Sequence, residues 1–202
     1  MRVGVLAVQG AVSEHLDALR RAADAKGIDV EAVAVRTAKD LLGTSGIILP
    51  GGESTTISRL LRSGGLQEPI LDRAGKDLAV FGTCAGLILL SKTAVSQVED
   101  KDIQLLGLLD TEVDRNAFGR QRDSFEASLD VKGIGPMPAV FIRAPVVTKA
   151  GKGTEVLAKN RRGIVAVRKG LVLGTAFHPE LTDDTRLHEL FLDLCSQAAK
   201  QS

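Results

Sequence analysis

Cys84 sits in Gly82-Thr83-Cys84-Ala85-Gly86, between an apolar run at Leu78–Phe81 and a second one that ends near Leu90. Strand, tight turn of small residues and helix start make up a nucleophile elbow, here with a thiol where many hydrolases carry a hydroxyl. The flanking glycines are expected to let the chain turn sharply without a Cβ clash. The N–H groups and positive dipole end of the helix favour the thiolate, which is the nucleophilic form. Such a nucleophile needs a base, a group that orients the base, and donors for the developing oxyanion. His178-Pro179-Glu180 offers the first two. His178 closes the run Leu171–Phe177, at the strand end where parallel sheets gather their active sites. Pro179 pushes His178 toward extended backbone. Positions two apart in extended chain point the same way, so Glu180 is expected to reach the imidazole and set its tautomer. Alone, His-Pro-Glu reads better as a plain strand-end turn; the elbow elsewhere in the chain is what makes His178 the candidate base.

The oxyanion donors are expected from two places. One is the N–H of Ala85, beside the nucleophile. The other is Gly51-Gly52 in Pro50-Gly51-Gly52-Glu53-Ser54, at the end of a neighbouring strand. A strand, a glycine turn and a helix could also cradle phosphate, but neither G-x-x-x-x-G-K-[ST] nor G-x-G-x-x-G is present. Gln9, at another strand end, could face the same site. Arg115, in Arg115-Asn116-Ala117-Phe118-Gly119-Arg120-Gln121, and Arg143, in Phe141-Ile142-Arg143-Ala144-Pro145, each stand near a strand end. An arginine there can grip a substrate carboxylate through two hydrogen bonds, or simply form surface ion pairs. The remaining histidines are assigned ordinary places: His15 partly exposed or capping near the start of the first helix, His188 solvated in the last one. Cys195 falls on the apolar stripe of that last helix with Leu187, Leu190, Phe191 and Leu194, so it is assigned to the core.

The elements that must hold these residues follow from periodicity. Arg2–Val8 reads as a strand buried on both faces. A helix opened by Ser13 and Glu14 follows and ends at Gly27. Val30–Val35 and Gly46–Leu49 are strands, with a short helical or turn segment at Thr37–Leu42 between them. Ser54 is expected to cap a helix carrying Ile57, Leu60 and Leu61, broken at Gly64-Gly65, with a further helix over Leu66–Ala74. Leu78–Phe81 is the fourth strand and Cys84–Ser91 its helix. This alternation predicts an α/β, flavodoxin-like three-layer sandwich, with a mostly parallel central sheet and helices on both faces. From about Ala94 the pattern changes. Val95–Asp102 reads as a loop. Short strands without full helices between them follow at Leu105–Val113, Ser124–Val131, Ala139–Ile142, Val156–Ala158, Gly163–Arg168 and Leu171–Phe177. They predict an antiparallel extension with a hairpin turn at Arg168-Lys169-Gly170-Leu171, and an amphipathic helix over Asp184–Lys200 follows.

Composition excludes several classes. The 202 residues are 44% apolar and 25% charged, which suits one globular domain. With 26 basic and 25 acidic side chains the net charge of +1 gives no footprint for nucleic acid or an anionic membrane. No apolar run approaches the length of a membrane span, roughly 18 residues. Gln9 and Gly10 cut the first apolar run too short for a signal peptide. Two distant cysteines make no disulfide framework, so a reducing cytoplasmic setting is expected. There is no Trp or Tyr, which argues against base stacking and a flavin platform.

Gly82-Thr83-Cys84-Ala85-Gly86 together with His178-Pro179-Glu180 resembles the class I, triad-type glutamine amidotransferases. Gln9-Gly10-Ala11-Val12, Pro50-Gly51-Gly52-Glu53-Ser54-Thr55-Thr56, the Arg115–Gln121 and Phe141–Pro145 stretches and His178-Pro179-Glu180-Leu181-Thr182 narrow this to the glutaminase-subunit family of pyridoxal 5′-phosphate synthases. The resemblance covers essentially the whole chain, as a single amidotransferase domain over 1–202. It departs mildly at Ala117, where some relatives have Ser. The resemblance implies that Cys84 attacks the side-chain amide of L-glutamine, with His178 as base and Glu180 as orienter. It implies substrate contacts at Gly52, Glu53, Ser54, Arg115, Ile142 and Arg143, and an oxyanion hole from Gly51, Gly52 and Ala85 that Gln9 helps set up. It also implies no cofactor and no metal. The partner implied is a (β/α)8 synthase subunit that takes up the ammonia, in a hetero-oligomer of up to twelve of each chain. Two other readings remain. A peptidase or deglycase-like hydrolase would explain Cys84 but not the two arginine stretches. A non-catalytic regulatory subunit would have little use for an intact Cys84, His178 and Glu180.

Overall fold

The structure is a computed structural model that describes residues 1–95, 103–115 and 124–201. Its first half alternates strand and helix: β1 (Arg2–Leu6), α1 (Val12–Lys26), β2 (Glu31–Val35), β3 (Gly46–Leu49), α2 (Ser54–Ser63), α3 (Gln67–Arg73), β4 (Ala79–Thr83) and α4 (Ala85–Leu90). Strands follow at β5 (Ser91–Val95), β6 (Leu109–Asp114), β7 (Ser124–Val131), β8 (Gly135–Ile142), β9 (Val146–Ala150), β10 (Glu155–Asn160), β11 (Gly163–Lys169) and β12 (Val172–Thr175). A 3-10 turn (Pro179–Leu181) and α5 (Arg186–Ala199) end the chain.

The parallel core runs β2-β1-β3-β4-β12, the flavodoxin-like order. From β12 the sheet continues as β11-β9-β6-β5, with antiparallel steps from β12 to β11, β11 to β9 and β9 to β6, and β10 paired to β11. This is the expected antiparallel extension, and β7 and β8 form a separate two-stranded ribbon beside it. The hairpin between β11 and β12 turns at Gly170-Leu171, with Lys169 opposite Val172. Two strands escaped the sequence reading. β5, Ser-Lys-Thr-Ala-Val, is too polar to read as a buried strand, and β9 hides behind Pro145. The expected loop at Val95–Asp102 begins on the last residue of β5, and its remainder, 96–102, lies outside the described residues. So does the 116–121 part of the stretch that begins at Arg115, including Ala117.

Alternation along β3 separates the two helical layers. A side chain at Gly46 would meet Cys195 and Phe191 of α5, whereas Leu49, three residues on, lies against Gly86 of α4. Residues of opposite parity point to opposite faces, so α5 and α4 cover opposite sides of the sheet. On the α5 side Phe81 packs on Phe191 with ring centroids 5.5 Å apart, and both rings are fully buried. Burying each contributes about 1.5–3 kcal/mol. α1 lies beside α5 on this face, and Cys195 is fully buried there, as its place on the stripe predicts.

Helix ends differ in detail from expectation. α1 starts at Val12, after an Ala11 N-cap that makes no side-chain bond, and Gly27 closes it in the left-handed conformation. α2 is capped by Glu53, not by Ser54: the Glu53 carboxylate accepts from the N–H groups of Thr55 and Thr56. Slight burial works against that carboxylate, but these bonds outweigh it and hold it below the usual range. A carboxylate can meet two orphan N–H groups at once and complements the helix dipole, which a serine hydroxyl does less well.

Candidate active site

Four strands end on one side of the sheet and deliver the site. Gln9 follows β1, Gly51 and Gly52 follow β3, Cys84 follows β4, and His178 follows β12. Ligand sites in open α/β sheets lie there, outside the carboxyl ends of the strands. A cavity of about 510 Å³ opens at this point. Gln9, Gly51, Gly52, Glu53, Ser54, Cys84, Ala85, Arg115, Ile142, Arg143 and His178 all line it. Glu180 is the one candidate that does not; it stands behind His178.

Cys84 occupies the elbow with φ 50° and ψ −102°, a backbone conformation that L-residues rarely adopt. Such strain costs about 1–3 kcal/mol and persists only where neighbours enforce it. Here the Cys84 N–H is donated to Thr175 O on β12 (2.8 Å), and the first bond of α4 runs from the Ile88 N–H to Cys84 O. The strained residue is therefore the nucleophile itself. Gly82 and Gly86 do let the chain turn without a Cβ clash: a Cβ on Gly82 would stand 2.5 Å from the carbonyl carbon of Gly86 across the elbow, and one on Gly86 2.0 Å from Leu49 O of the neighbouring strand. They let α4 lie directly on the strands, so that its start meets the end of β4.

His178 donates its backbone N–H to Val140 O of β8 (2.8 Å), and its Nδ1 lies 2.7 Å from Glu180 Oε1. The reach is made by a 3-10 turn rather than by the extended chain expected. Pro179 takes the first helical position, which its fixed φ suits, and folds Glu180 back under the ring. Burial alone would pull the imidazole pKa down. Hydrogen bonds to Cys84 and Glu180 and the charges of both outweigh it, and raise the pKa to about 10. The ring is thus cationic at neutral pH, between a sulfur and a carboxylate. Cys84 Sγ also lies 3.9 Å from Ile142 O, on the far wall. Arg143, next along, has φ 44° and is exposed.

Gly51 is pressed against this machinery. A Cβ there would fall 2.4 Å from His178 Cε1 and 3.4 Å from Cys84 Cβ. Its N–H is donated to Thr83 Oγ1 (3.0 Å), and the Glu53 N–H to Gln9 Oε1 (3.0 Å). Across the cavity the Arg115 Nη2 donates to Ser54 Oγ (3.0 Å). Among the described residues no three His, Cys, Asp or Glu side chains are grouped so as to hold a metal ion, and no helix is long and apolar enough to cross a membrane.

Two histidines are not where the sequence reading placed them. His15 and His188 are both fully buried, on the α1–α5 face. His15 Nδ1 lies 3.1 Å from His188 Nε2, and His15 Nε2 lies 3.1 Å from Thr83 Oγ1. Periodicity put neither on an apolar stripe, because each packs against the other and against Phe81 rather than into an aliphatic layer. Burial, then the charges of His188 and His178, push the His15 pKa well below its ordinary value. Burial, then the charge of Arg21, brings His188 down to about 3. Both rings are neutral in the folded chain and take up a proton near pH 6.5 once unfolded. Their contribution to stability is therefore present above pH 6.5 and lost as pH falls below it, for His188 down to about pH 3. Each depressed group adds a slope of about 1.4 kcal/mol per pH unit in that window. Urea unfolding between pH 7 and pH 4 is expected to show this slope, and His188→Leu to remove about one group's share. Parallel slopes in the two proteins would rule out a neutral, buried His188.

Comparison with known proteins places these features in a family. Residues 5–197 match the SNO glutamine amidotransferase family. The pyridoxal 5′-phosphate synthase subunit PdxT of Archaeoglobus fulgidus is 57% identical over 194 residues, covering 96% of this chain and 98% of the relative. The subunit of the same name from Geobacillus kaustophilus is 50% identical, over 100% of this chain and 98% of its own. A crystal structure described as a glutamine amidotransferase superposes with a TM-score of 0.85 at 48% identity, covering 96% of this chain and 98% of its own. A glutamine amidotransferase from Thermotoga maritima shares the fold alone, with a TM-score of 0.59 at 14% identity over 99% of this chain and 92% of its own.

Proposed function

Because the chain belongs to the SNO glutamine amidotransferase family, we propose that it hydrolyses L-glutamine at Cys84 and hands the ammonia to a synthase subunit that makes pyridoxal 5′-phosphate. The observation that carries this reading is the line of Cys84 and His178 at the floor of the cavity with Glu180 behind them, the imidazole held cationic between sulfur and carboxylate. In the first step Cys84 Sγ attacks the side-chain carbonyl carbon of glutamine. The carbonyl electron pair moves to oxygen, where the Ala85 N–H at the open end of α4 and a donor from the Gly51–Gly52 turn receive it. The oxyanion collapses, the C–N bond breaks, and the leaving nitrogen takes the His178 proton and departs as ammonia. A glutamyl thioester remains. Neutral His178 then removes a proton from water, the hydroxide attacks the thioester carbon, and the C–S bond breaks to release glutamate. Glu180 holds the imidazole in the tautomer that presents Nε2 to sulfur, nitrogen and water in turn. Arg115 and Arg143 border the cavity, where they serve the substrate's α-carboxylate.

The partner proposed is a (β/α)8 synthase subunit, with up to twelve glutaminases on a dodecameric core. The names of the relatives support an association of this kind, and so does the state of the oxyanion turn. The Gly51 N–H is committed to Thr83, and Gln9 Oε1 to Glu53, so a shift at this turn on docking would complete the hole. The test is glutamate release from glutamine by the full chain, with and without the synthase subunit. Release is expected to rise when the synthase is added. Release equal in its absence would overturn the coupling, and none in its presence would overturn the glutaminase.

A further inference from the structure

Behind the triad, on the side away from the cavity, Glu180 Oε2 is fully buried and finds no hydrogen-bond partner among the described residues. A buried carboxylate oxygen left unmet is costly, and native structures rarely tolerate one. The basic nitrogen that approaches it is His15 Nε2, at 3.5 Å, from a ring that is itself fully buried. A second unmet atom lies at the other end of the same row, His188 Nδ1. The row thus runs His188, His15, Glu180, His178, Cys84. It joins α5 and α1 to the nucleophile through side chains alone.

The protons in this row can be ordered in two ways. In the first, His188 Nε2–H donates to His15 Nδ1, and His15 carries its hydrogen on Nε2, turned toward Glu180 and Thr83. His188 Nδ1 is then a bare lone pair, and the buried carboxylate faces the positive end of an N–H rather than a second lone pair. In the second, His15 Nδ1–H donates to His188 Nε2. That leaves a His188 Nδ1–H without an acceptor and sets two lone pairs, on His15 Nε2 and Glu180 Oε2, against each other. The second order does give the Thr83 hydroxyl hydrogen an acceptor. A carboxylate's unmet bond costs more than a hydroxyl's, so the first order prevails.

We propose that His15 is a positioning residue of the triad: neutral and protonated on Nε2, it steadies Glu180 Oε2 from behind, which keeps Oε1 on His178 Nδ1. The same ring nitrogen braces Thr83, whose oxygen takes the Gly51 N–H. One buried imidazole therefore supports both the orienter of the base and the turn beside the nucleophile. The groups that face it are His188 from α5, Glu180 and His178 from the end of β12 and its 3-10 turn, and Thr83 from β4, with the Arg21 charge of α1 acting on His188. This inference rests on the glutaminase reading for its kinetic effect but not for its tautomer.

Imidazole ¹⁵N NMR of the full chain tests the tautomer directly, with the three histidines assigned by single substitution. His15 is expected to show a protonated Nε2 and a bare Nδ1 from about pH 5 to about pH 9. A protonated Nδ1 or a ring that titrates in that range overturns the proposal. In the complex with the synthase subunit, His15→Leu is expected to lower kcat for glutamate release about 10–100-fold with little change in KM. His15→Gln, whose amide can place a donor near the Nε2 position, is expected to recover most of it. The His178 Nδ1–H signal should move in His15→Leu and stay in His15→Gln. Equal losses in the two variants with that signal unmoved mean a packing role only, and sink the proposal. Glutamate absent from every protein, wild type included, would count against the glutaminase reading, while the tautomer of wild-type His15 still decides this one.

Discussion

Cys84→Ala is expected to lower glutamate release in the complex by about 10⁴-fold or more, with the fold and partner binding intact. Alanine removes the sulfur and nothing else of size. It also relieves no strain, since its own Cβ keeps the φ 50° conformation as unfavourable as before. What remains is a cavity that can still hold glutamine beside the imidazole, with no atom to form the thioester. Water would have to attack an unactivated amide without covalent help, which is the step that nucleophilic catalysis divides in two. Residual release within about tenfold of wild type would show that Cys84 is not the nucleophile. Equilibrium unfolding of the variant guards against a trivial cause.

The second large effect is expected for His178→Asn, a loss of about 10³–10⁴-fold. The asparagine amide can still donate to Glu180 Oε1 near the Nδ1 position, so the 3-10 turn at Pro179–Leu181 should keep its shape. It has no group at the Nε2 position to protonate the leaving nitrogen or to deprotonate water. It also takes away the cation that faces Cys84. Two readouts should therefore move together. Glutamate release falls, and alkylation of Cys84 by iodoacetamide at neutral pH slows. In wild type the imidazole stays charged up to about pH 10, so fast alkylation should persist across neutral pH. Combining both substitutions should cost little more than Cys84→Ala alone, because nucleophile and base act as a unit. An additive double variant, or unchanged alkylation in His178→Asn, would mean that the pair is not coupled.

Much of this was legible in the chain because the signals were local. The order of apolar runs and glycine turns carried the parallel half of the sheet, and the elbow and His-Pro-Glu marked two strand ends that the fold then brought together. Thr83 shows in the sequence only as part of the elbow, although its side chain ties Gly51 and His15 to β4. Other features depended on contacts between distant segments. His15 and His188 are 173 residues apart and bury each other, so no window of periodicity could place them. Ser54 is the residue whose type suggests the cap of α2, and only the geometry puts Glu53, with its two acceptor oxygens, in that role. Gly82 and Gly86 do spare the elbow a Cβ clash, as their place in the chain suggests, but the strained φ falls on Cys84 between them, which no residue type announces.

The central claim is that Cys84 is a nucleophile in a site shaped for glutamine. A diazoketone analogue of glutamine, incubated with the full chain in complex with its synthase partner, tests it most directly when the products are mapped by peptide. One adduct is expected, on Cys84, formed more slowly when glutamine is in excess and absent from Cys84→Ala, with the buried Cys195 untouched. Labelling at Cys195, or labelling of Cys84 that excess glutamine does not slow, would contradict it.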